Sequence, residues 1–211
     1  MAWNTEETRR RLKEAAVVEF AAEGLAGARM DRIAERAGIN KERLYKYFGD
    51  KERLFGTVLA DEMAKIAEAI PPETLQEVDI GEYVGRCYDY HVAHPHLTRP
   101  LHWEALAYGE KPVPDEESRI ALYRRKVGGF EKAQRDGVID PKHLVFLAMA
   151  MSSWWDAVPQ VARMITGESP VSPEEHARRR ATVVEAARRL AGTTSGKEWP
   201  RPAPEATGSP K

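Results

Sequence analysis

The chain has 211 residues, 42% of them apolar, with 32 basic and 33 acidic side chains and a formal net charge of -1. That is enough apolar material for one good core or for a small domain joined to a larger one; it excludes wholesale disorder and leaves any nucleic-acid binding to a local basic surface. A single cysteine, Cys87, excludes an intramolecular disulfide framework, no apolar run is long enough to span a bilayer, and Met1 to Glu7 lack a signal-peptide layout, so a soluble cytoplasmic protein is expected.

β-branched residues are sparse and do not alternate with polar ones, whereas Ala, Glu, Arg, Leu and Lys recur at helical spacing, which predicts an all-α chain of about nine helices. Thr5 is placed to cap the first helix, with Glu6 and Glu7 in its first turn, Leu12, Ala15, Ala16, Glu19 and Phe20 facing inward, and Gly24 as its stop. Asp31 to Arg36 reads as a short helix ended by Gly38, and Asn40 caps another that runs to Phe48 and Gly49. Asp50 opens a longer helix carrying Leu54, Val58, Met63 and Ile66 until Pro71 and Pro72 break it. Helices follow over Ile80 to His94 and Pro95 to Tyr108, then a loop marked by Gly109, Pro112 and Pro114, then a helix from Asp115 to Arg135 stopped at Gly137. The last two span Pro141 to Thr166, with a kink or break expected near Val158 because of Pro159, and Pro173 to Ala191. The implied organisation is an N-terminal three-helix domain over residues 1–56, a larger helical domain over 57–192, and a disordered tail over 193–211.

Two short helices joined through Ala37, Gly38 and Ile39 have the layout of a helix-turn-helix, in which the glycine permits the sharp turn and Ala34 lets the helices approach. Ile33, Ala37, Ile39 and Leu44 are expected inside. The outward face of the second helix then carries Lys41, Arg43, Lys46 and the ring of Tyr45, which suits a major groove, while Glu42 either reads a cytosine or repels phosphate. Adjacent aromatics cannot both face DNA from one helix, so Phe48 rather than Tyr47 is assigned to the core. The spacing alone is weak, because a basic helix face is commonly just a solvated one.

The run Met30 to Phe55, MDRIAERAGINKERLYKYFGDKERLF, adds more: its Ile-Ala, Ala-Gly, Leu-Tyr-x-Tyr-Phe and Lys-Glu-x-Leu elements resemble the signature of TetR-type transcriptional regulators. The resemblance is strongest over residues 5 to 60. It implies a homodimer on a palindromic double-stranded operator, usually a repressor released by a small-molecule effector. Contact positions of that family fall here on Arg29, Asn40, Lys41, Glu42, Arg43, Tyr45, Lys46, Tyr47 and Lys51. Lys41, Glu42, Arg43 and Tyr45 correspond to positions near bases, and Lys46, Tyr47 and Lys51 to phosphate contacts. Arg29 stands where the family often has threonine, Asn40 where serine is common, Glu42 where glycine is frequent, and Arg43 where threonine or serine is frequent. With two small residues replaced by a long acid and a long base, the operator cannot be borrowed from relatives. The alternative within the same fold is a DNA-bound interaction protein, as in nucleoid occlusion, acting through a protein partner without an effector. No glycine-rich phosphate loop, nucleophile elbow or acid–base constellation points to an enzyme.

For the larger domain, Tyr83, Cys87, Tyr90 and His91 fall on one side of their helix, and Trp103, Phe130, Met149, Ser152 and Trp155 are candidates to face them around an apolar effector pocket. Each suits an ordinary core as well. Trp154 and Trp155 diverge on a helix, so at most one lines a cavity. Cys87 and His91, with His94, His96 and His102 nearby, invite a metal reading, but Pro95 interrupts the chain where ligands would converge, and no metal or other cofactor is expected. Ala177, Ala181, Val184, Ala187 and Ala191, with Val183 and Leu190 beside them, make a small-residue face on the last helix. That face suits a homodimer through the last two helices, and equally suits packing inside one subunit.

Overall fold

The computed structural model describes residues 5–114, 116–134, 139–168 and 171–192, and among them every secondary-structure element is a helix. The helices are α1 (Thr5–Gly27), α2 (Met30–Ala37), α3 (Lys41–Phe48), α4 (Lys51–Ala69), α5 (Ile80–Ala93), α6 (Thr98–Tyr108), α7 (Glu116–Ala133), α8 (Pro141–Ala157), α9 (Pro159–Thr166) and α10 (Pro173–Leu190). A short 3-10 segment, Pro72–Gln76, lies where the sequence showed only a break. The expected helix start at Asp115, its end at Arg135 and Gly137, and the tail over 193–211 lie outside the described residues.

Most helix starts obey local chemistry. Asn40 Oδ1 accepts the N–H of Glu42 at 2.7 Å, Asp50 Oδ1 that of Arg53 at 2.8 Å, Asp79 Oδ1 that of Glu82 at 2.8 Å, and Ser172 Oγ that of Glu175 at 3.1 Å. Each such cap stabilises its helix by about 1 kcal/mol. Thr5 is already inside α1 rather than capping it. Pro159 divides the long helix expected over 141–166: Val158, at φ -131 and ψ 59, ends α8 and precedes α9, because proline cannot continue the preceding helix without losing a hydrogen bond. The described helices therefore exceed the expected nine. Pro95 does not open a helix; residues 95–97 form a turn and α6 starts at Thr98.

Two apolar cores result. The first joins Leu12, Ala16 and Phe20 of α1 to Ile33 of α2, Leu44 of α3, and Leu54 and Phe55 of α4, with Phe20 and Phe55 meeting edge to face at 5.0 Å between ring centroids. The second collects α5, α7, α8 and α10 around Tyr83, Val84, Tyr88, Phe130, Leu144, Val183 and Ala187. Here α10 lies against α5, and the close approach is made by glycines of α5: a Cβ on Gly81 would sit 2.6 Å from the Val184 carbonyl oxygen, and one on Gly85 2.6 Å from Val184 Cγ2. Val183, Val184, Ala187 and Ala191 are thus spent inside the subunit, while Ala177 and Ala181 remain exposed. Arg180 clips the same pair of helices by ion pairs to Glu82 (2.9 Å) and Asp89 (2.7 Å).

Candidate nucleic-acid interface and internal cavity

The turn between α2 and α3 is built by backbone geometry. Gly38 has left-handed backbone angles, φ 63 and ψ 35, and its N–H and that of Ile39 donate to the carbonyls of Glu35 and Ala34 at 2.9 Å each. This is how a helix end satisfies its last carbonyls while reversing direction. A side chain there would be strained by the positive φ and would also run into Arg11, whose guanidinium would lie 2.9 Å from the added Cβ. Ile33, Ala34, Ala37, Ile39, Leu44 and Phe48 are buried, as expected from their spacing.

The opposite face of α3 exposes Lys41, Glu42, Arg43, Tyr45 and Lys46. Tyr45 is 45% exposed, and the Lys41 ammonium sits 5.9 Å from its ring centroid. Tyr47 is half-buried and edge-on to Phe48; the guanidinium of Arg9, from α1, lies over both rings at 5.8 and 5.7 Å. Arg9 adds a cation to this end of the molecule that the local motif did not nominate. Arg29 is bonded to Asp31 at 2.8 Å, which holds the Asp31 carboxyl down at about 2. Its backbone N–H donates to Glu19, a buried acid of α1. Lys51 donates to the carbonyls of Ala26 (3.1 Å) and Ala28 (3.3 Å), so its ammonium closes the end of α1 and has capacity left for one further partner.

The second core encloses a cavity of about 100 Å³. Leu59, Met63 and Ile66 of α4, Leu122 and Tyr123 of α7, and Val145 and Ala148 of α8 supply much of its apolar wall. Of the residues nominated from sequence, Tyr83, Cys87, His91, Phe130, Met149 and Ser152 line it. Tyr90, Trp103 and Trp155 are not brought to it. Tyr90 turns aside to stack on His94 at 4.1 Å, Trp155 lies under the Arg179 guanidinium at 4.7 Å, and Trp103 packs against α1. Tyr83, Cys87 and His91 follow one another at four-residue steps along α5; Tyr90, seven residues after Tyr83, shares that side of the helix, but its ring is taken up by His94. Trp154 is exposed, so neither tryptophan of the pair lines the cavity.

Burial pushes the Cys87 thiol up to about 11 and the His91 imidazole down to about 4, so both are neutral near pH 7. His91 Nδ1 and Thr98 Oγ1 are buried polar atoms with no hydrogen-bond partner among the described residues. Such a group costs about 1–3 kcal/mol while unpaired. Glu62, Thr98, His102 and Lys126 also line the cavity and were missed from sequence. For Lys126 a signal existed: it interrupts the row Leu122, Lys126, Phe130, whose other members are apolar. The histidines do not converge on Cys87: His94 Nδ1 is paired with the Tyr90 carbonyl oxygen at 2.9 Å and His102 Nδ1 with that of Thr98 at 2.6 Å.

Two helices belong to both regions. Leu54, Phe55 and Val58 of α4 lie in the first core, while Leu59, Met63 and Ile66, further along the helix, reach the cavity. Thr98, Leu101 and His102 of α6 line the cavity, while Trp103 presses on Gly24, where α1 is kinked at φ 67 and ψ -177; a Cβ there would lie 2.6 Å from the indole. Gly24 therefore permits both the kink and the contact. A buried bidentate pair, Arg119 to Glu104 at 2.6 and 2.9 Å, holds α6 to α7.

Residues 12–58 match the family model of bacterial regulatory proteins of the tetR family, and residues 79–189 match the tetracyclin repressor-like C-terminal domain. The chain is 42% identical over 170 residues to the HTH-type transcriptional repressor SCO4008 of Streptomyces coelicolor, covering 79% of this chain and 87% of that one. It is 29% identical over 167 residues to the HTH-type transcriptional regulator RutR of Escherichia coli, covering 72% and 76%. The solved structure of SCO4942 from Streptomyces coelicolor superposes with a TM-score of 0.69 at 30% identity, covering 87% of this chain and 97% of that one. With matches to both halves of the fold and relatives that share most of their length with it, the chain belongs to the TetR family of bacterial helix-turn-helix transcriptional regulators.

Proposed function

We propose that this protein is a homodimeric repressor that occupies a palindromic operator and leaves it when a small molecule enters the cavity. The observation that carries this reading is the sharing of α4 and α6: each has one part against the first core or α1 and another in the cavity wall. A ligand that prefers a wider cavity would move α6, and with it Trp103 against Gly24, together with the far end of α4. Only a difference in affinity between the two arrangements can shift the population, so the effector must bind more tightly to the form that cannot reach DNA.

On DNA, Lys41, Glu42, Arg43 and Tyr45 would face base edges, with Asn40 capping the helix that carries them. Lys46, Tyr47, Arg9, Arg29 and Lys51 would lie near phosphates, Arg29 after exchanging Asp31 for one. Pairing of two subunits would set the distance between their recognition helices. The exposed apolar side chains Phe146, Leu147 and Trp154 of α8 and Val161, Met164 and Ile165 of α9 support pairing through this end, beside Ala177 and Ala181 of α10. A cavity with unpartnered polar atoms favours a small-molecule sensor over a regulator that acts only through a protein partner. Footprinting across the DNA flanking its own gene should reveal one or more palindromic protected sites. Light scattering should give a dimer that Phe146→Glu weakens. Binding without any sequence preference, or a tight monomer, would overturn the reading.

A further inference from the structure

The charges around the cavity do not cancel. Glu62 is a buried acid in its wall, but it pairs with Lys65 at 2.5 Å and lies 3.7 Å from His96, both directed at it from outside the lining. Lys126, half-buried on α7, has no acidic partner among the described residues. Its ammonium is close enough to α5 that, after burial, it is the next influence on His91 and Cys87, lowering the pKa of each. Among the described residues the cavity therefore carries one uncompensated positive charge. In the same lining are two buried polar atoms that lack partners among the described residues, His91 Nδ1 and Thr98 Oγ1, and Thr98 is only 3% exposed. Thr98 is also the first residue of α6, a helix start that no side chain caps, where the backbone field favours a negative group. The rest of the wall is chiefly aliphatic and aromatic.

We propose that the cavity takes a small molecule with an apolar body and a single carboxylate, the carboxylate pairing with Lys126 and accepting hydrogen bonds from His91 and Thr98. This rests on the reading of the cavity as the effector site and adds the ligand's chemical class to it. A monoanion is the match because one lysine neutralises one charge; a phosphate dianion would bring a second negative charge into an apolar site whose described lining offers no second lysine or arginine to meet it. A neutral ligand would leave Lys126 unpaired in the same surroundings, and an ammonium would face it with a like charge. The two hydrogen-bonding groups explain why a planar, two-oxygen acceptor fits better than a point anion.

The test is direct binding to the full-length protein by titration calorimetry, without DNA, using benzoate, phenylacetate and hexanoate beside benzamide, phenylacetamide, hexanamide, benzyl alcohol and benzylammonium. Each carboxylate should bind at least about tenfold more tightly than its uncharged counterpart, the range expected of a hydrogen-bonded charge pair. Lys126→Met should remove most of that preference, Lys126→Arg should keep it, and Thr98→Val should weaken carboxylates about threefold with little effect on the alcohol. Ala148→Leu, which fills the cavity, should weaken every ligand. Equal or tighter binding of the neutral or ammonium compounds, still lost in Ala148→Leu, would overturn the carboxylate assignment and leave the effector site standing. Carboxylate binding that survives both Lys126→Met and Ala148→Leu would place it elsewhere and overturn the assignment, as would no binding of any probe. Carboxylates that bind as expected yet fail to release operator DNA would support the ligand class and count against the regulatory reading alone.

Discussion

The two cores differ in how completely they are filled. In the first, Leu12, Phe20, Ile33, Leu44, Leu54 and Phe55 are wholly buried and none of the six lines the cavity. In the second, a cavity opens between α4, α5, α6, α7 and α8, and the buried polar side-chain atoms without partners among the described residues, His91 Nδ1, Thr98 Oγ1, Arg119 Nε and Asp156 Oδ2, lie on α5 to α8. A unit that presents side chains to DNA gains from rigid packing, whereas one that admits a ligand must give up packing and polar satisfaction until the ligand arrives.

The contrast predicts that truncation in the first core is the costliest change. Phe55→Ala should lower stability by about 3–5 kcal/mol in denaturant unfolding, since a fully buried ring is removed and Phe20 loses its edge-to-face partner. A cost under about 1 kcal/mol would show that the first core is no better packed than the second. Next in size is the acid response of the cavity. His91 is held down at about 4 against an unfolded value of about 6.5, so between those values the unfolded chain binds the extra proton. Stability should be full above about pH 6.5 and fall by about 3 kcal/mol in total as pH drops to about 4. His91→Gln should flatten that slope in urea titrations repeated across the range, and an unchanged slope would remove His91 as its source.

At the junction of the two regions, Gly24→Ala should cost about 1–3 kcal/mol, because the left-handed backbone and the Trp103 ring both exclude a methyl group. If the junction also transmits the effector signal, the same variant should change operator affinity, measured by fluorescence anisotropy. On the recognition face, Arg43→Ala should relax preference at one operator base pair, worth about 1–3 kcal/mol if Arg43 pairs with a guanine. Single-base operator variants with unchanged ranking would exclude that role. The smallest effect should come from filling the cavity: Ala148→Leu should be neutral or stabilising by about 0.5–2 kcal/mol without ligand, and marked destabilisation would mean that the second core is already well packed.

Legibility followed the range of the interactions. Gly38, Asn40, Asp50 and Pro159 were readable because a cap, a left-handed turn or a proline break acts on residues within one helical turn. Leu44 and Phe48 could be assigned inward by the same short period. Lys51 on the carbonyls of Ala26 and Ala28, Arg9 over Tyr47, and Trp103 on Gly24 could not, because each joins helices whose relative placement no local pattern encodes. Trp103 and Trp155 were nominated for the cavity by residue type and Tyr90 by its side of the helix, and neither says which neighbour a ring meets.

The amino-acid sequence by itself determined an all-helical chain, the helix-turn-helix and the residues its recognition helix exposes, since helical period, capping and the glycine turn are local and leave little choice of face. Only the tertiary structure decided where the cavity lies, that Lys126 has no acidic partner among the described residues while Glu62 is paired from outside the lining, and that the small residues of α10 are partly consumed against Gly81 and Gly85. A void and a charge imbalance are properties of several helices meeting, so they exist only once distant segments have been brought together.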